Sequence, residues 1–222
     1  EPVVALAHEM GLYSHIDPVP SICLGVADLT LHEMVGAYST FPNKGIHTDP
    51  IFVTKIEDKY GNVLATFSPV QNEAISEEVA YQMVGLLQNV VNMVDREAKA
   101  YGTAISLRTR YGIKVPLAGK TGTTNDHADG WFMGFTPELV TGIWVGGDER
   151  SIRFRSFAHG QGARMAMPVF AYYITDCIEH KKELGYTFGD FEKPANWVSP
   201  CYGNSPAPKR SDVNSNDFDD FL

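Results

Sequence analysis

The sequence predicts an α+β fold, an antiparallel sheet flanked by helices, and three observations carry that expectation. Three short apolar runs, starting at Leu117, Gly130 and Leu139, are joined by turns of a few residues, whereas parallel strands need long crossovers. Two longer segments, one after Ser76 and one after Gly162, repeat apolar residues at helical spacing. The chain of 222 residues, 44% hydrophobic and 20% charged, has the composition of a globular domain that buries roughly 70% of its unfolded surface.

Along the chain, Pro18-Val19-Pro20-Ser21 leads into Leu24-Gly25, and Thr30-Leu31-His32-Glu33 has the pattern of a capping box opening a helix towards Phe41. Leu31, Met34, Val35 and Tyr38 fall on one face, the expected buried one, and His32 falls on the solvated side. Pro42-Asn43-Lys44-Gly45 ends the helix, since proline cannot continue it and Asn or Gly accepts a left-handed turn. Residues 51–67 alternate as a hairpin that turns at Tyr60-Gly61-Asn62, with Ile51, Val53 and Lys55 sharing a face that covers part of the domain. Ser76 is the expected N-cap of a second helix carrying Val79, Met83, Leu86, Leu87, Val90 and Val91.

The run Leu117-Ala118-Gly119-Lys120-Thr121-Gly122-Thr123-Thr124 reads as the first strand of the meander. The chain turns through Asn125-Asp126-His127, returns from Gly130 to Thr136, and turns again at Pro137-Glu138 into a strand ending at Gly147. Trp131, Phe132, Phe135 and Trp144 are read as aromatic residues of the sheet core. After Gly160-Gln161-Gly162 comes a helix whose apolar face includes Ala166, Phe170, Tyr173, Ile174, Cys177 and Ile178, expected to pack on the sheet. Residues 1–185 are thus the folded portion. Residues 186–222, rich in Pro, Asp and Asn, are expected to be a tail that is partly or wholly disordered, since such a stretch cannot bury enough apolar area to offset chain entropy.

Chemistry concentrates in the first strand of the meander. Alternation puts Thr121 and Thr123 on one face, with Gly122 leaving bare backbone between them. One ammonium from Lys120 and two hydroxyls can hydrogen-bond a carboxylate, while a peptide backbone pairs with the strand edge. Taken alone, Lys-Thr-Gly-Thr reads equally well as an ordinary turn. Gly119-Lys120-Thr121 also ends like a phosphate-binding loop. That motif requires glycine where Lys114 stands and a helix directly after the Lys-Thr pair, where Gly122, Thr123, Thr124 and Asn125 occur instead.

The stretch from Ala118 to Asp148, with Lys120-Thr121-Gly122-Thr123-Thr124-Asn125, Asp129-Gly130-Trp131-Phe132, Gly134-Phe135-Thr136-Pro137 and Trp144-Val145-Gly146, resembles the transpeptidase domain of class A penicillin-binding proteins. Lys-Thr-Gly alone is shared with serine β-lactamases; the extended pattern is far more specific. Pro20-Ser21, Leu24-Gly25, Ala37-Tyr38 and Phe41-Pro42-Asn43 add to the resemblance, as does Gly102-Thr103-Ala104, a short motif that precedes the Lys-Thr-Gly strand in the family.

The resemblance implies a three-layer α/β/α arrangement like that of serine β-lactamases and D-Ala-D-Ala peptidases, incomplete in this chain. It implies a peptidoglycan D,D-transpeptidase, inhibited by β-lactams, that cross-links stem peptides ending in D-Ala-D-Ala through an acylated serine, without cofactor or metal. On that pattern Lys120 and Thr123 are catalytic, Lys120 through its positive potential and Thr123 through an oxyanion-hole amide. Lys120, Thr121, Gly122, Thr123 and Thr124 bind the donor peptide, and Asn125 and Asp129 support the site, Asp129 by holding the turn at Thr124-Asn125. His127 lies on the loop beside the cleft, and His159 either lines the cleft or caps the following helix.

No serine is followed three positions later by lysine, and no Ser-x-Asn occurs. Both motifs of the family are therefore expected upstream of Glu1, and the isolated chain is expected to be inactive. Two other classes are compatible with these residues, a non-catalytic peptidoglycan-binding module and a β-lactamase relative. Replacing Lys120 by Ala or Thr123 by Val is expected to abolish acylation and leave the fold nearly intact, and Gly122→Val is expected to block substrate pairing.

A net charge of −9 with dispersed basic residues argues against a nucleic-acid partner. No run approaches the ~20 apolar residues of a membrane-spanning helix, so membrane contact is not expected from this chain itself; the family implies a location in the cell envelope, on the outer face of the cytoplasmic membrane. Cys23, Cys177 and Cys201 show neither disulfide nor metal-site spacing and are expected as free thiols.

Overall fold

The computed structural model describes residues 1–195, 197 and 198. In chain order the elements are α1 (Pro2–Glu9), α2 (Leu31–Ser39), β1 (Ile46–Thr48), β2 (Lys55–Glu57), β3 (Val63–Thr66), β4 (Gln71–Glu73), α3 (Glu77–Asn92), β5 (Val94–Asp95), β6 (Ala100–Tyr101), α4 (Ser106–Thr109), β7 (Ala118–Thr123), β8 (Asp129–Phe135), β9 (Val140–Gly146), α5 (Phe157–Gly160), α6 (Gly162–Glu179) and α7 (Lys181–Leu184). Strands β7, β8 and β9 form an antiparallel meander in that order, and β1–β4, β2–β3 and β5–β6 are separate two-stranded pairs.

The meander sets the two sides of the core. Thr121 pairs with Phe132 and Thr123 with Gly130, while Lys120 pairs with Met133 and Ala118 with Phe135; the alternation sends the two sets to opposite faces. On one face α6 covers Phe132, whose ring lies 4.8 Å from that of Phe170, in a core shared with Val91, Leu107, Leu117, Ala166 and Ile174. On the other face α2 approaches Gly142, where a Cβ would lie 2.8 Å from Leu31 and from Val35. Helix α3 runs beside β7, with Val84 and Leu87 packing on Ala118 and Phe135 and Val91 reaching the α6 core.

Helix α2 starts as its sequence dictates. Thr30 Oγ1 accepts from the Glu33 amide at 3.2 Å, and Glu33 Oε2 accepts from the Thr30 amide at 2.9 Å. The same carboxylate also accepts from the amides of Tyr13 and Ser14, which ties the N-terminal segment to the helix. The expected face packs on the sheet only in part: Leu31 and Val35 reach Gly142 and Tyr38 packs beside Phe135, with Met34, Val35 and Tyr38 half-buried and Leu31 exposed at the rim, while the fully buried positions are Gly36 and Ala37. Past the helix, the left-handed residues are Lys44 and Gly45 rather than Asn43, and a Cβ on Gly45 would run into the carbonyl of Ile75.

The hairpin is shorter than expected. Its strands begin at Lys55, Ile51 and Val53 lie outside them, and Ile56, Val63, Leu64 and Phe67 are exposed, so it covers little of the domain. Helix α3 has its Ser76 cap, with the Val79 amide 3.4 Å from Ser76 Oγ. Its buried stripe is Ala80, Val84, Leu87 and Val91, and Val79 and Leu86 face solvent. Helix α6 buries Ala166, Phe170, Ile174 and Cys177 as expected, together with Met167 and Ala171, while Tyr173 is partly exposed.

The packed body continues past residue 185. Phe188 is buried, the Phe191 ring meets Phe135 edge-on at 5.7 Å, and the Glu138 carboxylate accepts from the amides of Thr187 and Phe188 and from the Thr187 hydroxyl. Those hydrogen bonds, the Phe188 amide foremost, hold the Glu138 carboxyl below its ordinary range. Aromatic side chains in 186–198 supply the apolar area that composition alone does not reveal. Cys23 is exposed and Cys177 buried, both as free thiols. Cys201 and the expectation of disorder over 199–222 lie outside the described residues.

Candidate active site

Strand β7 is at the edge of the meander, bordered by β8 on one side and by no strand on the other among the described residues. Lys120 and Thr123 are exposed on it, and Thr121 and Gly122 are half-buried. The Lys120 ammonium folds back along the strand and donates to the Thr121 carbonyl at 2.6 Å. Thr121 and Thr123 share the face directed towards α6, as alternation requires, but each hydroxyl already has a protein neighbour. Thr121 Oγ1 lies 2.9 Å from Thr103 Oγ1, and Thr123 Oγ1 accepts from the Gly162 amide at 3.0 Å. A hydroxyl used as an acceptor keeps its proton to donate. The edge therefore presents one ammonium and two hydroxyl groups with capacity to bind an anion.

Glycines bring α6 this close to the strand. A Cβ on Gly162 would overlap the Gly122 carbonyl oxygen and lie 2.5 Å from that of Trp131. A Cβ on Gly130, the partner of Thr123, would lie 3.0 Å from the Cα of Gly162. The bare position at Gly122 has a reason beyond a bare edge, because a Cβ there would lie 3.0 Å from Cβ of Trp131, its cross-strand neighbour. The expected effect of Gly122→Val on substrate pairing thus comes mixed with strain against Trp131.

The turn after the strand is closed by Thr124 and Asp129. The Thr124 amide donates to the Asp129 carbonyl at 3.2 Å, and the Asp129 amide donates to Thr124 Oγ1 at 3.1 Å. Asp129 therefore holds the turn through its backbone. Its carboxylate has another use, accepting from the Trp144 indole at 3.1 Å, and its second oxygen is buried without a partner. Trp144 is 42% exposed and meets Trp131 edge-on across the strands, so it is a surface aromatic, unlike Phe132 and Phe135, which are completely buried.

Asn125 makes no side-chain hydrogen bond among the described residues. The left-handed positions of this turn are Asp126 and His127, with Asp126 paired to Arg153 at 2.8 Å. The His127 ring lies 5.4 Å from that of Phe157, tilted by 59°, and packs against Gly160, its Nδ1 buried without a partner. His159 does not cap α6. Its Nδ1 lies 2.9 Å from Ser156 Oγ, and it lines a cavity of about 560 Å³ with Val145, Phe154, Arg164 and Met165. A second cavity of about 430 Å³ sits at the far end of the sheet, between α3 and the 186–192 segment. Neither is lined by Lys120, Thr121 or Thr123.

Thr103 and Gly162 are the members of this site that sequence reasoning did not find. Both stand in recognisable glycine-containing triplets, Gly102-Thr103-Ala104 and Gly160-Gln161-Gly162, yet their partners are 18 and 39 residues away. No local pattern specifies such pairings.

Comparison with known proteins bears on the whole of this arrangement. The family described as penicillin-binding protein transpeptidase domain matches residues 21–145, which includes α2, α3, Thr103 and the meander to Val145. Penicillin-binding protein 1A of Aquifex aeolicus is 34% identical over 174 residues, covering 78% of this chain and 22% of that protein. The crystal structure of penicillin-binding protein 1A from Haemophilus influenzae superposes with a TM-score of 0.69 at 25% identity, over 78% of this chain and 30% of the other. PonA1 of Mycobacterium tuberculosis, solved in complex with penicillin V, superposes at 0.64 and 24% identity over 87% of this chain and 53% of the other; at that identity the likeness is one of fold. The chain spans about a fifth of the length of the curated relatives it matches. With the family match over more than half of its residues and the meander, its edge strand and its flanking helices in place, this chain belongs to the penicillin-binding protein transpeptidase family.

Proposed function

We propose that this chain is the donor-binding portion of a serine-type peptidoglycan D,D-transpeptidase of class A, part of a larger α/β/α domain, working at the outer face of the cytoplasmic membrane. The observation that carries the reading is the edge of β7, where the Lys120 ammonium and the Thr121 and Thr123 hydroxyls stand on a strand that pairs with β8 on one side and with no strand on the other among the described residues. A stem peptide ending in D-Ala-D-Ala pairs along that edge with its terminal carboxylate among these groups. A serine from a Ser-x-x-Lys motif elsewhere in the protein attacks the penultimate carbonyl and the terminal D-Ala leaves as its amine. An amine of a second stem peptide then takes the acyl group and frees the serine. The Thr123 amide donates to the carbonyl oxygen as charge develops there, and one such donor contributes about 3 to 4 kcal/mol of transition-state stabilisation. β-Lactams inhibit by acylating the same serine. Among the described residues no helix is long and apolar enough to cross a membrane, and the anchor belongs to another part of the protein.

The test is intact-mass analysis of the complete gene product after incubation with a labelled penicillin. One lasting adduct, on a serine outside residues 1–222, is expected. Lys120→Ala is expected to abolish it, and the isolated chain is expected to form none. No adduct on the folded complete protein indicates a non-catalytic wall-binding module, and rapid turnover of penicillin indicates a β-lactamase relative. Unchanged acylation in Lys120→Ala removes β7 from the site.

A further inference from the structure

Thr103 is exposed between two buried residues that lock it in place. The Gly102 amide donates to the Met93 carbonyl and the Ala104 amide to the Val90 carbonyl, both at 2.9 Å. A Cβ on Gly102 would overlap the Val90 carbonyl and lie 2.6 Å from that of Asn89, so the triplet is seated on the last turn of α3. Its one free feature is the Thr103 side chain, delivered to Thr121 with 2.9 Å between the hydroxyl oxygens. Two hydroxyls in contact share one proton and leave the other to point outward, and a hydroxyl that accepts a hydrogen bond is a better donor for its own.

We propose that Thr103 is a positioning residue for the transpeptidase reaction: it donates to Thr121 Oγ1, so that the Thr121 proton is directed at the carboxylate of the donor peptide or of a β-lactam. The role rests on the reading of β7 as the donor-binding strand. Thr121 lacks any other hydrogen-bond partner for its hydroxyl among the described residues. Without Thr103 its proton is free to rotate away from the ligand. The consequence is selective, since the neutral carbonyl of an ester accepts that proton more weakly than a carboxylate does.

The experiment compares acylation rates of the complete protein by penicillin G and by its methyl ester, in wild type, Thr103→Val, Thr103→Ser and Thr121→Val, with a thermal melt for each. Thr103→Val is expected to slow penicillin G about tenfold, the effect of losing one hydrogen bond to a charged group, and to slow the ester, which reacts more slowly from the start, by much less. Thr103→Ser is expected to restore the penicillin G rate. Thr121→Val is expected to show the same discrimination, with no further loss in the double variant. If wild type reacts but Thr103→Val matches it with penicillin G, or slows both compounds equally, or is not rescued by serine, the role of Thr103 is overturned and that of β7 stands. If wild type forms no adduct, the reading of the strand falls and the role of Thr103 with it.

Discussion

Thr123 shows why a polar residue on a strand edge need not be neutral for stability. Its hydroxyl is the acceptor for the Gly162 amide, and Gly162 is buried. Thr123→Val is isosteric but leaves that amide without a partner, at a cost of about 1 to 3 kcal/mol. A fall in melting temperature of about 3 to 10 °C follows for a chain of this size, and Thr123→Ser is expected to melt like wild type. The expectation from sequence, that Thr123→Val leaves the fold nearly intact, is thereby revised. An unchanged melt in Thr123→Val would show that the amide finds water instead. Gly162 is constrained further, because the Gly122 and Trp131 carbonyls occupy the space of a side chain. Gly162→Ala is expected to destabilise by about 3 kcal/mol or more through overpacking against backbone, seen as a lowered denaturation midpoint in urea.

Helix α2 supplies the pH dependence at the scale of an element. Desolvation pushes the Glu33 carboxyl up, but hydrogen bonds from the side chain and amide of Thr30 and from Ser14 outweigh it and bring it down to about 2, from 4.5. A carboxyl whose folded value lies below its unfolded one adds stability above the unfolded value, and that stability is lost as pH falls from about 4.5 towards 2. The capping box and the link to Tyr13 and Ser14 are therefore expected to weaken together over that range. Glu33→Gln is expected to lower stability at pH 7 and to flatten the acid limb of the unfolding midpoint against pH. An acid limb identical to that of wild type would mean that Glu33 is not the group that titrates.

At the scale of the whole molecule, the segment 186–195 fastens the end of β8 to the helices. It places Phe188 and Phe191 against the core, surrounds Glu138 with donors, and pairs Glu192 with Lys44 in the turn between α2 and β1. Ending the complete protein after Gly185 removes two packed aromatic side chains, each contributing about 1.5 to 3 kcal/mol on burial. A loss of about 3 kcal/mol or more is expected, read as a melting temperature lower by roughly 6 to 12 °C. An unchanged melt would show that the segment adds nothing to the fold.

What the sequence determined by itself is what neighbouring residues decide. The capping box at Thr30, the Ser76 cap, the meander and the alternation that puts Thr121 and Thr123 on one face all follow from interactions within a few residues, and the structure contains each of them. The Lys-Thr-Gly-Thr strand was legible for the same reason, and the extended motifs around it carried the family. Tertiary structure alone decided which stripe of α2 and α3 is buried, because that depends on where β7 and β9 pass. It also decided that the Asp129 carboxylate serves Trp144, that Thr103 and Gly162 serve the two threonines, and that Tyr186, Phe188, Phe191 and Trp197 pack on the body. Each of these is a contact between segments distant in the chain, and at Gly102 and Gly162 a missing side chain lets backbones touch; composition and periodicity hold no record of which segments will meet.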